Sequence, residues 1–306
     1  MSKRILFMGT PDYATSIFEE LLKSPFDVVG IFTQPDKPVG RKQVLTPPHI
    51  KQYCLENSLD LPLFQPLKLR GNEEAKQQIE SLKPDFIIVA AYGQILPKEI
   101  LDIAPCINLH ASLLPLYRGA SPIQESLLND DEYTGVTSML MEEGLDTGDI
   151  LGFDYLKITP TMEVSEAFSE LSKIAAKLTV KTLIKYESIE PKKQNNAQAS
   201  LCKKIKKEHG EVSFSNAKKL YLKYKAYSYW PGVFLTSGLK LKEISLNEEG
   251  SSNSEGEILE LKQDHVIIGC KAGSLKIKTL QAPSKKAMNA ADYIRGQRLN
   301  VGDKIE

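Results

Sequence analysis

The chain has 306 residues, a length that fits two domains, and its 42% hydrophobic and 25% charged content is that of an ordinary globular protein. Basic and acidic side chains each number 39, which excludes a uniformly basic coat for nucleic acid. The charge is unevenly spread: residues 1–200 carry 20 Lys/Arg against 27 Asp/Glu, net −7, whereas residues 201–306 carry 19 against 12, net +7, so the later part suits an anionic partner.

Arg4–Met8 reads as a short strand ending at the turn Gly9-Thr10-Pro11. Asp12 then opens a helix with Ile17, Leu21 and Leu22 at helical spacing. Val28–Thr33 is a second strand, and Pro47 and Pro48 open a helix carrying Ile50, Tyr53 and Cys54. Phe86–Ala91 is apolar on both faces, as a buried central strand should be. Cys106–His110 is a fourth strand, followed by a loop with proline and glycine and a helix from Pro122 to Leu128. A long helix from about Glu163 to Tyr186 closes this part. The alternation predicts an α/β fold, a Rossmann-like doubly wound parallel sheet with helices on both faces, over residues 1–188. The first turn lacks GxGxxG, so no dinucleotide site is expected.

Residues 189–207 are polar and read as a linker. From 208 to 306 the pattern becomes short strands, Leu239–Ile244, Glu257–Leu261, Val266–Cys270 and Leu275–Leu280, separated by Gly, Ser and Asn turns. This predicts a second, smaller β-barrel or sandwich. Tyr221, Tyr224 and Tyr227 recur at helical spacing and should pack a helix onto it.

Cys54, Cys106, Cys202 and Cys270 form no CxxC pair, so a reducing compartment is expected and no metal site. The opening apolar run, Ile5–Met8, is too short for a signal-peptide core, and no apolar stretch approaches the ~20 residues that span a bilayer. A cytoplasmic chain without a membrane partner is expected, acting as a monomer.

The chemistry lies in Ile107-Asn108-Leu109-His110-Ala111-Ser112-Leu113-Leu114-Pro115-Leu116-Tyr117-Arg118-Gly119. Strand alternation puts Asn108 and His110 on one side of the sheet, at the strand's end. There an amide can hydrogen-bond a developing oxyanion while an imidazole moves a proton near neutral pH. Alone, such a pair is more often structural. A second stretch, Glu143-Gly144-Leu145-Asp146-Thr147-Gly148-Asp149, holds a carboxylate on a tight turn that could orient the imidazole.

Taken together, Asn108, His110, the Ser112–Pro115 loop and Asp146 resemble the signature of the folate-dependent formyltransferases. Within that family, the segments Phe7–Ala14, Phe32–Arg41, Val89–Pro97, Gly144–Asp149 and Pro283–Met288 are similar to the members that formylate methionyl-tRNA. The matches run over nearly the whole chain. The resemblance implies an oligonucleotide-binding-like (OB-like) barrel as the second domain, 10-formyltetrahydrofolate as formyl donor, and initiator methionyl-tRNA as acceptor. It implies catalytic roles for Asn108, His110 and Asp146. Tyr92, Gly93, Ile95 and Leu96, with Ser112, Leu113, Leu114 and Pro115, would wall the folate cleft, and Leu96, Leu113 and Leu114 would flank its ring.

Gln34–Pro48 contains four prolines, one glycine, Lys37, Arg41 and Lys42, and no apolar period, so it reads as a long exposed, mobile loop. In the family such a loop enters the tRNA acceptor stem, and Arg41 occupies the position of its key arginine. The family often follows that arginine with a glycine and two lysines, whereas this chain has Lys42-Gln43-Val44. Lys203, Lys204, Lys206 and Lys207 start the basic second domain and read, with Arg41 and Lys42, as tRNA contacts. Two other readings use parts of these features. A binder without turnover would not need the three catalytic residues, and a formyl-folate hydrolase would not need Arg41 or the basic domain. Arg118 would bind a substrate anion or pin its loop.

Overall fold

The computed structural model describes residues 2–40 and 42–305. The chain divides into two compact units, one made of Met1–Pro122, Tyr133–Lys157 and Phe168–Cys202, the other of Ile123–Glu132, Ile158–Ala167 and Lys203–Glu306. As far as Cys202 the elements are β1 (Arg4–Gly9), α1 (Asp12–Leu22), β2 (Asp27–Phe32), β3 (Lys37–Val39), β4 (Val44–Thr46), α2 (His49–Glu56), β5 (Leu63–Phe64), α3 (Glu73–Ser81), β6 (Phe86–Ala90), α4 (Lys98–Leu101), β7 (Cys106–His110), β8 (Arg118–Gly119), α5 (Pro122–Leu128), β9 (Tyr133–Leu140), β10 (Ile150–Lys157), α6 (Val164–Lys185) and β11 (Leu201–Cys202).

The first unit is built on a seven-stranded sheet in the order β10-β9-β7-β6-β1-β2-β5. The strands from β7 to β5 run parallel, and β9 and β10 add an antiparallel edge. Every residue of β6 is buried, as its two apolar faces require. On one face Leu6, Met8, Phe32, Ile87 and Val89 pack with Ile79 of α3. Register sets Gly9 of β1 beside Ala90 of β6, and Val89 of β6 beside Asn108 of β7, so the carboxyl ends of three strands open together. That is where open α/β sheets bind ligands.

Three details depart from the sequence reading. Neither β9 nor β10 was among the expected strands, and both run antiparallel where a parallel sheet was expected; Thr134, Gly135, Thr137 and Ser138 dilute the apolar signal of β9 although its middle is buried. Residues 34–48 are not a structureless loop: Lys37–Val39 pairs antiparallel with Val44–Thr46 in a short hairpin. Its base is tied down by Lys51 Nζ, 2.9 Å from both carboxylate oxygens of Asp36 and 2.8 Å from Gln65 Oε1. Residues 189–202 lie along the first unit. Lys192 bridges Ile150, and Leu201–Cys202 pairs parallel with Arg118–Gly119.

The second unit contains α7 (Ala217–Tyr227), β12 (Val233–Phe234), β13 (Lys240–Glu248), β14 (Ile258–Leu261), β15 (Val266–Gly269), β16 (Ser274–Gln281), β17 (Met288–Asn289) and α8 (Ala290–Gly296). Its sheet is antiparallel, ordered β12-β13-β16-β15-β14, with β17 on β16. Asn216 caps α7 by accepting the Lys219 N–H at 2.8 Å. Leu220 and Tyr224 of α7 pack into the core with Leu241, Ile277 and Leu280. The tyrosine spacing thus serves the core rather than an exposed stacking surface.

Candidate active site

β7 carries Asn108 half-buried and His110 buried, two positions apart and on one face. The turn between β9 and β10 brings Asp146 to them. Asp146 Oδ2 lies 3.7 Å from His110 Nδ1, with side-chain exposures of 14% and 7%. Its Oδ1 lies 3.5 Å from Asn108 Nδ2, and Oδ2 accepts the Gly119 N–H at 2.9 Å. The turn holds Asp146 at φ 52°, a left-handed conformation uncommon for a residue with a side chain. Gly148 makes the turn possible, since a Cβ there would collide with the Leu140 carbonyl oxygen.

The other imidazole nitrogen is committed. His110 Nε2 lies 2.9 Å from the Tyr117 carbonyl oxygen, which only accepts, so Nε2 carries a hydrogen and donates it. Nδ1, facing Asp146, is the nitrogen that can take up and release a proton. Beneath the strand, the buried Tyr13 hydroxyl reaches the Leu109 carbonyl at 3.4 Å, and burial pushes its phenol well above the ordinary range. No pattern in the sequence marked that contact.

The loop after β7 is pinned from within. Ser112 Oγ donates to the Leu116 carbonyl at 2.6 Å. Thr137 Oγ1 donates to the Ser112 carbonyl at 2.7 Å and accepts the Leu114 N–H at 3.0 Å. Ser112 and Leu114 are therefore buried, and Leu113 and Pro115 are partly exposed. Across the strand ends, Tyr92 and Leu96 lie in the core, whereas Gly93 and Ile95 are exposed. Of the apolar side chains expected to flank a flat ring, Leu96 and Leu114 are buried. Among these residues Leu113 and Ile95 are the apolar side chains left accessible.

Arg118 is buried, and its guanidinium donates to amide oxygens, Gln194 Oε1 at 2.7 and 2.9 Å and Asn196 Oδ1 at 2.9 Å. That favours pinning the loop over binding a substrate anion. Lys42 is exposed on the hairpin, and Arg41 lies outside the described residues. Lys203, Lys204, Lys206 and Lys207 are exposed at the start of the second unit's longest segment, where Lys206 also pairs with Glu208 at 3.5 Å. Among the described residues no cluster of metal-ligating side chains occurs, and no helix is long and apolar enough to cross a membrane.

The family model described as formyl transferase matches residues 3–183, and that of the formyl transferase C-terminal domain matches residues 204–298. The methionyl-tRNA formyltransferase of a Nitratiruptor species is 59% identical over 300 residues, covering 98% of this chain and 99% of that protein. The chain belongs to the methionyl-tRNA formyltransferase family. A second member, from Wolinella succinogenes, is 54% identical over 301 residues and 98% of both chains. Among solved structures, an N-formyltransferase from Helicobacter canadensis superposes with a TM-score of 0.69 at 20% identity, covering 92% of this chain and all of that one. HypX from Aquifex aeolicus, solved with tetrahydrofolic acid, gives 0.63 at 18% identity over all of this chain and 49% of that one. At such identities these two structures bear on the fold alone.

Proposed function

We propose that this chain moves the formyl group of 10-formyltetrahydrofolate onto the α-amino group of methionine carried by initiator tRNA, in the cytoplasm. The observation that carries the reading is the convergence of Asn108, His110 Nδ1 and Asp146 at the open carboxyl end of β7. The accessible Ile95 and Gly93 after β6 and the partly exposed Leu113 after β7 suit a flat, partly apolar donor with a polar edge.

A free α-amine has a pKa of ~7.7–8.0, and an ester neighbour lowers it, so the acceptor is largely neutral at cytoplasmic pH. The amine nitrogen attacks the formyl carbon, a C–N bond forms, and the bond from that carbon to N10 of the folate breaks. One proton leaves the amine and one arrives at N10. His110 Nδ1 carries that proton, while Nε2 stays on the Tyr117 carbonyl. The imidazolium formed in between faces the Asp146 carboxylate, whose Oδ2 lies 3.7 Å from Nδ1. Asn108 Nδ2 donates to the formyl oxygen as negative charge builds there.

For the acceptor, Lys42 of the hairpin and its sequence neighbour Arg41 meet the acceptor end of the tRNA, and Lys203, Lys204, Lys206 and Lys207 follow its phosphates. The hairpin's exposed Val39, Val44 and Leu45 suit an apolar wedge beside those cations. The test is formyl transfer to methionine-charged initiator tRNA, run beside free methionine and an amino-sugar nucleotide. Turnover confined to charged tRNA supports the reading, and turnover with a small amine rejects the acceptor. Arg41→Ala is expected to cut transfer to tRNA far more than folate binding.

A further inference from the structure

The segment 189–202 contributes no group to the reaction described above, yet one of its side chains touches the turn that presents the carboxylate. Gln194 Nε2 donates to the carbonyl oxygens of Asp146 at 2.9 Å and Gly148 at 2.8 Å. Its Oε1 accepts from Arg118 Nε and Nη2. Each partner fixes the amide's direction, because a guanidinium only donates and a backbone carbonyl only accepts. Gln194 therefore links the two loops that frame the carboxylate. Arg118 precedes Gly119, whose N–H holds Asp146 Oδ2. Asp146 itself sits at positive φ, a conformation that persists only where its surroundings enforce it.

From this geometry we infer that Gln194 is a positioning residue for the Asp146 carboxylate, setting its distance to His110 and Asn108 through the Asp146–Gly148 turn. The inference rests on the catalytic role proposed above for Asp146. Few side chains could substitute. Glutamate keeps the contact to Arg118 but has no donor for the two carbonyls. Leucine or methionine offers neither, lysine only donates, and asparagine is one methylene shorter. The chain Arg118→Gln194→carbonyl also strengthens itself, since a positively charged donor at Oε1 polarises the amide toward its acceptors.

The test compares Gln194→Glu, Gln194→Met, Asp146→Asn and the two double variants in formyl transfer to charged initiator tRNA. Melting temperature and tRNA affinity are measured in parallel. A small displacement of a catalytic group costs about ten- to a hundredfold, so Gln194→Glu and Gln194→Met are expected to lower kcat by that much. KM for donor and tRNA should stay within about twofold. In the Asp146→Asn background the Gln194 substitutions should add nothing further, as expected for two residues acting through one group. Wild-type kcat in both Gln194 variants overturns the inference, and so does a loss that multiplies with that of Asp146→Asn. A rise in KM alone, or a loss that tracks melting temperature, also overturns it, because neither is what a displaced catalytic carboxylate would produce. Undiminished turnover in Asp146→Asn would instead reject the role of Asp146, a failure distinct from that of Gln194.

Discussion

The Tyr117 carbonyl oxygen stands 2.9 Å from His110 Nε2, and that contact decides which edge of the imidazole does chemistry. Tyr117 is itself held at φ 59°, with its N–H on Ser200 Oγ at 2.9 Å and its carbonyl also taking Cys202 Sγ at 3.3 Å. The loop after β7 thus fixes the ring, and the turn before β10 supplies its counter-charge. Neither segment is near the other in sequence. Antiparallel pairing of β7 with β9, and of β9 with β10, brings them together.

The first prediction concerns His110. His110→Ala is expected to lower turnover by about a hundred- to ten-thousandfold, the usual worth of a positioned acid–base group, while tRNA affinity stays near wild type. Nitrogen-15 NMR of the neutral wild-type ring should show the hydrogen on Nε2. A protonated Nδ1 with a bare Nε2 would contradict the Tyr117 contact.

Gly148 gives the second. A methyl group there meets the Leu140 carbonyl, a backbone atom that cannot move aside without disturbing β9. Gly148→Ala should shift the turn, cost about 1–3 kcal/mol of stability and reduce kcat together with it. Denaturant unfolding and a transfer assay check both, and a fully active variant of native stability would show that the turn tolerates the group. Gly144, whose added Cβ would first meet the Thr147 side chain and not backbone, should respond less.

Much of this was legible in the residues. Asn108 and His110 announce a shared face through alternation on an apolar strand, and Gly144 and Gly148 announce the turn around Asp146. The hairpin was not legible because its two strands have three residues each and include a proline. Gln194 was hidden for another reason: it stands in a polar run, Gln194-Asn195-Asn196, that carries no period. Its partners, Arg118 and the Asp146 and Gly148 carbonyls, are set by tertiary pairing alone. The burial of Leu96 and Leu114 was equally out of reach, since a leucine in a loop looks the same whether it faces a ligand or the core.

The lysine run yields the third prediction. If Lys203, Lys204, Lys206 and Lys207 meet phosphates, each substitution to alanine should weaken tRNA binding, and the slope of log K against log salt should fall by about one for each phosphate left without its cation. Lys206, already paired with Glu208, should contribute less than Lys207. Salt titrations of tRNA binding by the four single variants measure this, and unchanged slopes would leave the run a solvated face. Folate affinity should not move in any of them.

The fourth prediction concerns the hairpin's base. Hydrogen bonds from Gln65 and then Lys51 hold the Asp36 carboxyl below the usual carboxylate range. A folded-state value below the unfolded one means that this anchoring is present above the ordinary carboxylate pKa of ~3.9 and lost as pH falls through the folded value. At neutral pH the network is therefore intact, and Asp36→Asn or Lys51→Met should loosen the β3–β4 pairing. Trypsin should then cleave faster after Lys42, which is exposed, and transfer to tRNA should drop while donor binding is unchanged. The mutant and wild-type cleavage rates should converge at acid pH, measured with an acid-active protease, because the wild type loses the same anchor there. Equal cleavage at neutral pH would mean that the strand pairing, and not Asp36, holds the hairpin in place.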